Sequence, residues 1–227
     1  MGTPALTSVD GIHLLRLGDD ENRFSLDWLS AVEAALDEVV ANPAPLLTIG
    51  DGKQYSSGLD LEWVGQNLDQ FVAYAARVER LLARVLTLGV PTVAAINGHA
   101  FAAGAMLALA HDWRVMRADR GFFCLPEVDI KIPFTPGMSA LIQAKLTPRT
   151  ANDAMTTGRR YGGEDAVAAG LVDHAVGEED VLPAALAILA PLAGKDPATL
   201  SAIKATMYAT PVAALGTPAP GLAGAVG

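Results

Sequence analysis

Several residue types are scarce in this sequence. It has a single cysteine, Cys124, in 227 residues, which excludes a disulfide framework or a cysteine-rich metal site. The four histidines include no close pair at metal-ligand spacing, so no metal site is predicted. Aromatic residues make up only 6% of the chain although hydrophobic residues make up 51%, so the core must consist mainly of Ala, Val and Leu. That composition favours a helix-rich α/β or α+β protein.

Positive charge is also scarce. The 16 basic residues are outnumbered by 25 acidic ones, which gives a net charge of -9. A nucleic-acid partner is not expected, because such proteins need a basic surface. No run of roughly twenty uncharged apolar residues occurs, so no membrane span is expected. The N-terminus lacks the basic and then apolar pattern of a signal peptide, and a cytoplasmic location is therefore expected.

Three common catalytic or nucleotide-binding motifs are missing. No G-x-G-x-x-G follows the first predicted strand, and no Walker-type phosphate loop is present, which argues against nucleotide folds of those kinds. The G-x-S-x-G elbow of α/β-hydrolases is also missing.

Hydrophobic patterning predicts an α/β fold. Apolar strands separated by helical patterns favour a mostly parallel sheet; these strands are "GIHLLRL", "APLLTIG", "VPTVAAIN" and "WRVMRA". Ser25 is a plausible N-cap for the first helix. The segment "GFFCLPEVDI" is predicted to be extended, with a break at Pro126. From about residue 135 the pattern is helical apart from the short strand "LVDHAV", and "TPAPGLAGAVG" is predicted to be a loose tail.

Two strand-to-helix junctions consist of small residues. They are Ser57-Gly58-Leu59 in "GKQYSSGLDL" and Ala102-Ala103-Gly104 in "HAFAAGAML". The first N–H groups of a helix have no partner within it. Two of them converging on one point would form an oxyanion hole, worth about 2.7–4 kcal/mol per donor to a transition state. Small residues at such turns more often serve packing, so the junctions alone leave both explanations open.

Four segments together resemble the crotonase (enoyl-CoA hydratase/isomerase) superfamily. "GKQYSSGLDL" resembles its lysine-containing A-G-x-D-like loop, and "PTVAAINGHAFAAGAMLALAHDWRVMRAD" its P-x-I-A-x-I-x-G-x-A-x-G-G-G block. "FFCLPEVDIKI" is similar to its P-E-v-x-l-G segment, and "TGRRYGGEDAVAAGLVDHAV" to its late G-L-V-d block. These segments occur in the family's order and span roughly residues 10 to 205.

The resemblance implies a spiral of ββα units with a C-terminal helical region. We therefore expect a crotonase-like core with the acyl-CoA site at residues 1–180, and a helical oligomerisation region with a loose tail at 181–227. It further implies a homotrimer or a hexamer. The expected ligand is an acyl-CoA thioester, with coenzyme A as part of the substrate and no permanently bound cofactor.

The resemblance also assigns the site residues. The backbone N–H groups of Leu59 and Ala103 would hold the thioester oxygen, and Gly104 would let the thioester approach closely. The adenine would lie against the loop around Ser57 and Gly58. Lys53 is either a further CoA contact or a solvated surface lysine.

The acidic residues favour one reaction of the family. Its hydratases carry two glutamates, and the corresponding residues here are Met106 and Glu127. Adding water to a C=C bond is well served by two carboxylates, whereas moving the bond needs only one proton shuttle. A Δ3,Δ2-enoyl-CoA isomerase with Glu127 as base and acid is therefore predicted, and the sequence around Glu127 resembles the monofunctional isomerases most.

Two alternatives stay open. One is a hydratase or another crotonase-type reaction that uses a different acid, Asp129 or Glu62. In an extended segment Asp129 would share the face of Glu127. The other is a non-catalytic CoA-binding paralogue, because Met106 replaces an acid and Lys131 replaces the family's usual glycine.

Overall fold

The computed structural model describes residues 2–217, in which nine strands and eleven helices follow one another. The strands are β1 (Ala5–Val9), β2 (Ile12–Arg16), β3 (Leu46–Ile49), β4 (Gln54–Ser56), β5 (Thr92–Ile96), β6 (His99–Phe101), β7 (Trp113–Arg117), β8 (Phe123–Cys124) and β9 (His174–Val176). The helices are α1 (Leu26–Ala41), α2 (Leu61–Gln66), α3 (Phe71–Leu86), α4 (Ala103–Ala110), α5 (Glu127–Ile130), α6 (Pro136–Lys145), α7 (Pro148–Thr157), α8 (Gly163–Ala168), α9 (Val181–Leu189), α10 (Pro197–Met207) and α11 (Ala209–Leu215).

Six strands form the larger sheet, in the order β1-β2-β3-β5-β7-β9. Only the β1–β2 pair is antiparallel, because a two-residue turn joins these strands. Alternate side chains of β5 enter two different cores. Ala94 and Ile96 join the larger apolar cluster, while Val93 and Ala95 pack with the buried face of α9. Helices therefore cover both faces, as is typical of parallel strands with continuous apolar sequences.

Three short strands form a second, all-parallel sheet in the order β4-β6-β8. Each follows a strand of the larger sheet and leads into a helix, which gives the successive units β3-β4-α2, β5-β6-α4 and β7-β8-α5. This arrangement is the predicted ββα spiral, and the predicted fold class is confirmed.

Local sequence explains where the helices begin. Ser25 caps α1 by accepting a hydrogen bond from the Trp28 amide at 3.2 Å, as predicted. Asp60 caps α2 in the same way through the Trp63 amide, also at 3.2 Å. The side chain of Thr135 caps α6, and a proline follows it at the first helical position.

The C-terminal helices pack on their own chain. Helix α9 covers the larger sheet, and the division of the chain at residue 180 stays a prediction. Helix α11 packs against α6 and α3. The ammonium of Lys204 on α10 is buried and lies 2.7 Å from Asp112 Oδ2 and 2.9 Å from the Val90 carbonyl oxygen. Oligomerisation through residues 181–227 stays a prediction, and the predicted tail lies outside the described residues from 218 onward.

The structure also corrects the sequence analysis. Strands β1 and β6 were not predicted, whereas β4 is the strand expected before Ser57. The segment predicted to be extended to Ile130 is a strand only at Phe123–Cys124, and Glu127–Ile130 forms a helical turn. Within residues 2–217 no single helix is long and apolar enough to cross a membrane, although the bent pair Glu178–Leu192 and Pro197–Met207 passes that test together.

Candidate functional site

The site lies where the strands of the second sheet end. Carboxyl ends of parallel strands meet at one edge of a sheet, and β6 pairs in parallel with both β4 and β8. Leu59 follows the end of β4 by three residues, Ala103 follows β6 by two, and Glu127 follows β8 by three. The fold therefore brings the three predicted catalytic residues to the same edge.

The two small-residue junctions are in direct contact. A Cβ atom added to Gly58 would lie 2.7 Å from the amide nitrogen of Ala103 and 3.0 Å from that of Gly104. A Cβ on Gly104 would collide with the carbonyl group of Ser56. Gly58 has φ of +81°, a conformation that side chains other than glycine rarely adopt. Glycine is thus required at both positions, for packing and to keep the two amides close.

The amides of Leu59 and Ala103 have no hydrogen-bond acceptor within residues 2–217, whereas amides next to Leu59 do. The Gly58 amide donates to Ser56 Oγ at 3.0 Å, and the Asp60 amide donates to Tyr74 Oη at 3.0 Å. Buried amides are normally paired. Two unpaired N–H groups on adjacent junctions are the arrangement that an oxyanion hole requires.

Ala102 orients the amide of Ala103. It immediately precedes α4 and has φ of +50° and ψ of -125°. For a residue with a side chain this conformation is strained. The Ala102 amide donates to the Cys124 carbonyl oxygen at 3.0 Å, and its own carbonyl accepts from the Met106 amide at 3.0 Å. These two hydrogen bonds hold the turn that exposes the Ala103 amide.

Glu127 is a buried carboxylate at the start of α5. Only 7% of the residue is exposed, and its Oε2 atom has no hydrogen-bond partner in the described part of the chain. Burial raises the pKa of Glu127 to about 7, and a hydrogen bond from its own amide offsets part of this shift. A carboxylate of that pKa can accept and return a proton near neutral pH.

The other acidic candidates lie elsewhere. Because Glu127–Ile130 is helical, Asp129 does not share the face of Glu127 as predicted for an extended segment. It is exposed, and its carboxylate lies against Gly158. Glu62 is exposed on α2, 3.7 Å from Arg23. Met106 is fully buried in α4 and offers no ionisable group.

The remaining predicted contacts lie on the loop around β4. Lys53 is exposed, and only its backbone carbonyl makes a described contact, with the His99 amide at 3.0 Å. Ser57 is half-buried and its amide donates to the Glu21 carbonyl oxygen at 2.9 Å. Lys131 ends α5 in the left-handed region, with φ of +60° and ψ of +30°, so the turn is kept without the glycine.

Two contributors to the site were missed in the sequence. The Tyr74 hydroxyl donates to the Phe24 carbonyl oxygen at 2.8 Å and accepts from the Asp60 amide, which anchors the loop that carries Leu59. The backbone of Arg23 bridges to that of Gly58. The neighbouring sequence does not mark either residue as functional, because Tyr74 fits the apolar face of α3 and Arg23 simply precedes the N-cap region of α1. Among residues 2–217 no three His, Cys, Asp or Glu side chains meet as a metal site.

Comparison with known families identifies this arrangement. A family model described as enoyl-CoA hydratase/isomerase matches residues 9–217. The chain belongs to the enoyl-CoA hydratase/isomerase family. The predicted family and enzyme class are therefore confirmed.

Individual members of this family are similar over most of the chain. Enoyl-CoA delta isomerase 3 of Arabidopsis thaliana is 37% identical over 188 residues, which are 78% of this chain and 79% of that protein. The solved structure of human mitochondrial delta3-delta2-enoyl-CoA isomerase has a TM-score of 0.85 at 25% identity and covers 92% of this chain and 84% of the human one. A probable enoyl-CoA hydratase of Mycobacterium tuberculosis has a TM-score of 0.89 at 26% identity, with 97% and 94% covered. Members with both names thus share this fold.

Proposed function

We propose that the protein is a Δ3,Δ2-enoyl-CoA isomerase, which converts a 3-enoyl-CoA into the 2-enoyl-CoA. The observation that carries the proposal is a single buried carboxylate, Glu127, at the edge where the unpaired amides of Leu59 and Ala103 lie. Met106 stands where the family resemblance places the second glutamate of the hydratases. The similarity to proteins named enoyl-CoA delta isomerases supports the same reaction.

The two amides stabilise the charge that develops on the thioester. When a proton leaves C2, negative charge moves onto the thioester oxygen, which accepts hydrogen bonds from the N–H groups of Leu59 and Ala103. Each such donor lowers the barrier by about 2.7–4 kcal/mol. Gly58 and Gly104 carry no side chain, so the thioester reaches the backbone.

Glu127 moves the proton. Its carboxylate takes the proton from C2 and becomes the carboxylic acid, and the electron pair of the C–H bond enters a dienolate. The acid then returns the proton to C4, the double bond forms between C2 and C3, and the carboxylate is regenerated. No other reactant is consumed. A pKa of about 7 suits both halves of this cycle, because the group is neither too weak a base nor too weak an acid.

The alternatives have less support. Hydration needs a positioned water and a second acid or base, and the side chains of Asp129 and Glu62 are exposed while Met106 cannot ionise. A paralogue that only binds CoA has no use for a buried, unpaired carboxylate, which lowers stability. Strongly perturbed carboxylates are more typical of active sites.

Side-by-side assays with 3-hexenoyl-CoA and crotonyl-CoA test the proposal. Isomerisation should clearly exceed hydration, and Glu127→Gln should lower the isomerase kcat by about 10²–10⁴-fold. Asp129→Asn, which removes a carboxylate from the same helix, should keep the activity. Near-normal turnover by Glu127→Gln, or hydration faster than isomerisation, would overturn the proposal. Binding of acyl-CoA without turnover would favour the non-catalytic paralogue.

We also propose the role of coenzyme A, the location of the protein and its assembly, on the basis of the sequence and the family resemblance. Coenzyme A takes part only as the carrier in the substrate, with its adenine near Ser57 and Lys53. The protein works in the cytoplasm as a homotrimer or hexamer. Light scattering of the purified protein would measure the mass, and a monomer would contradict the assembly.

A further inference from the structure

The backbone of Phe24 holds the peptide unit that carries the Leu59 amide. The Phe24 amide donates a hydrogen bond of 2.8 Å to the carbonyl oxygen of Gly58. This carbonyl and the amide of Leu59 belong to the same peptide unit, which is trans. The C=O and N–H groups of a trans peptide point in opposite directions. Because the Gly58 carbonyl is fixed toward Phe24, the Leu59 amide is aimed away from it.

The peptide unit on the other side of Leu59 is held by the hydroxyl group of Tyr74. The Asp60 amide donates to Tyr74 Oη at 3.0 Å, and the hydroxyl donates in turn to the carbonyl oxygen of Phe24 at 2.8 Å. Phe24 therefore binds one neighbouring peptide directly and the other through Tyr74. We call these three hydrogen bonds the Phe24–Tyr74 clamp. They fix the backbone before and after Leu59 to a single residue at the start of α1.

The surroundings of the Tyr74 hydroxyl suit it to this task. The residue is only 3% exposed, and its ring packs against that of Trp63 with 5.2 Å between the centroids. Burial raises the pKa of Tyr74, so the hydroxyl keeps its proton throughout the neutral range. A protonated hydroxyl donates one hydrogen bond and accepts another, and the clamp uses both. The packed ring thus holds the oxygen where two backbone groups need it.

Loss of this oxygen would disturb Leu59 itself. The Asp60 amide and the Phe24 carbonyl would both lose their partner in a largely buried place, which is unfavourable. The two groups can pair directly only if the loop moves toward Phe24 to fill the space of the hydroxyl. Such a movement displaces the Leu59 amide as well. A displacement of about 1 Å in a catalytic arrangement can lower the rate by about 10²-fold.

We propose that Tyr74 is a positioning residue, whose hydroxyl fixes the direction of the Leu59 amide through the Asp60 amide and the Phe24 backbone. It acts through these backbone groups and not on the thioester itself. Its effect falls mainly on the transition state, because the negative charge on the thioester oxygen is fully developed only there. This inference rests on the proposed function for the reaction and for the Leu59 amide as a donor.

Tyr74→Phe tests the proposal, because it removes the hydroxyl and keeps the packed ring. With 3-hexenoyl-CoA the isomerase kcat should fall by about 10–100-fold, while KM should change by less than about 2-fold. The matched control is Tyr55→Phe. Tyr55 is fully buried, and its hydroxyl is hydrogen-bonded with Thr48 Oγ1 at 2.8 Å, outside the clamp. This variant loses a buried hydroxyl of the same kind and should keep both kcat and KM. Urea denaturation establishes that both variants are folded under the assay conditions.

A second measurement needs no turnover. Hydrogen bonds to a thioester oxygen weaken its C=O bond and lower the stretching frequency of the carbonyl. Isotope-edited infrared spectra of hexanoyl-CoA, labelled at the thioester carbonyl, report this frequency in the bound state. Binding to the unaltered protein and to Tyr55→Phe should lower the frequency by the same amount, and binding to Tyr74→Phe should lower it less. General loosening of the fold would weaken binding of hexanoyl-CoA in Tyr74→Phe, whereas the clamp predicts a nearly unchanged dissociation constant.

The outcomes separate the clamp from the proposed reaction. Equal kcat values for Tyr74→Phe and Tyr55→Phe, or equal carbonyl frequencies, would overturn the positioning role and leave the isomerase intact. A smaller frequency shift in Tyr74→Phe, in a protein that does not isomerise 3-hexenoyl-CoA, keeps the clamp and removes the isomerase. A fall in kcat that comes with an equal rise in KM would show that Tyr74 supports binding alone. If hexanoyl-CoA does not bind to the unaltered protein, both proposals fail.

Discussion

The amide of Ala102 donates a hydrogen bond to the carbonyl oxygen of Cys124 at 3.0 Å. It joins the end of β6, from which the Ala103 amide follows, to the end of β8, from which Glu127 follows. The segment that carries the hydrogen-bond donor proposed for the thioester is thus tied directly to the segment that carries the carboxylate proposed for its C2 proton. Holding groups on rigid elements in this way lets a site act without reorganising.

Gly58→Ala tests the contact between the two junctions. The new methyl group would lie 2.7 Å from the Ala103 amide nitrogen, and alanine disfavours the φ of +81°. We expect a loss of isomerase kcat/KM of about 10²-fold or more, as for the loss of one oxyanion-hole donor. The matched control is Gly65→Ala on exposed α2, where nothing lies within 4 Å of the added Cβ. It should raise the free energy of unfolding by about 0.5–1 kcal/mol. Equal activities of the two variants would contradict the proposed hole.

Much of this site could be predicted from the sequence. The positions of Leu59 and Ala103 follow from small residues between a strand and a helix, because helix N-termini expose amides wherever they occur. The large-sheet strands β2, β3, β5 and β7 follow from short, mostly apolar runs. What patterning could not supply was the pairing of three short strands into a second sheet. A strand of three residues such as β6 is too short for a period to register.

The pH dependence of activity should follow Glu127. Its pKa is raised by burial to about 7, and a proton-accepting carboxylate works only when ionised. The isomerase kcat/KM should therefore rise as pH increases through about 7 and level off above it. Initial rates between pH 5.5 and 8.5 would measure this. A fall in kcat/KM over the same range would show that a protonated group is required instead.

The surfaces that bury Glu127 could not be identified from the sequence. Its pKa depends on the surfaces that bury it, and those are brought together by contacts distant in the chain. The predicted conformation of the segment "GFFCLPEVDI" was also wrong, because Pro126 was expected to interrupt an extended strand. Proline is instead well suited to precede a helical turn, because its missing N–H has no partner there in any case. That turn carries Asp129 away from the face of Glu127.

Glu127→Gln should stabilise the protein at alkaline pH. The folded-state pKa of about 7 exceeds the ordinary 4.5, so the stability contributed by the protonated group is complete below about pH 4.5 and lost as pH rises through 7. Glutamine keeps the volume and never ionises. The free energy of unfolding of the variant should therefore exceed that of the parent by about 2–3 kcal/mol at pH 8 and by much less at pH 5. Urea denaturation at both pH values would measure this difference. If the difference in free energy of unfolding between the variant and the parent is smaller at pH 8 than at pH 5, the pKa of Glu127 is not raised by burial.

Ala102→Gly should increase stability. Ala102 has a φ of +50°, and a strained conformation of this kind costs about 1–3 kcal/mol. Glycine removes that strain but gains freedom in the unfolded chain, which costs about 0.5–1 kcal/mol. The free energy of unfolding should rise by about 1 kcal/mol, and activity should persist because the hydrogen bonds of Ala102 to Cys124 and Met106 involve only its backbone.

Ala105→Gly is the matched control for this change. Ala105 lies in the same helix, α4, and is not among the described residues with positive φ. Glycine there relieves no strain and leaves a buried methyl site empty, so it should cost about 1 kcal/mol or more. Urea unfolding of both variants gives two changes of opposite sign. If Ala102→Gly is destabilised as much as Ala105→Gly, the turn before Ala103 is not strained, and the amide of Ala103 is held by the packing of α4 alone.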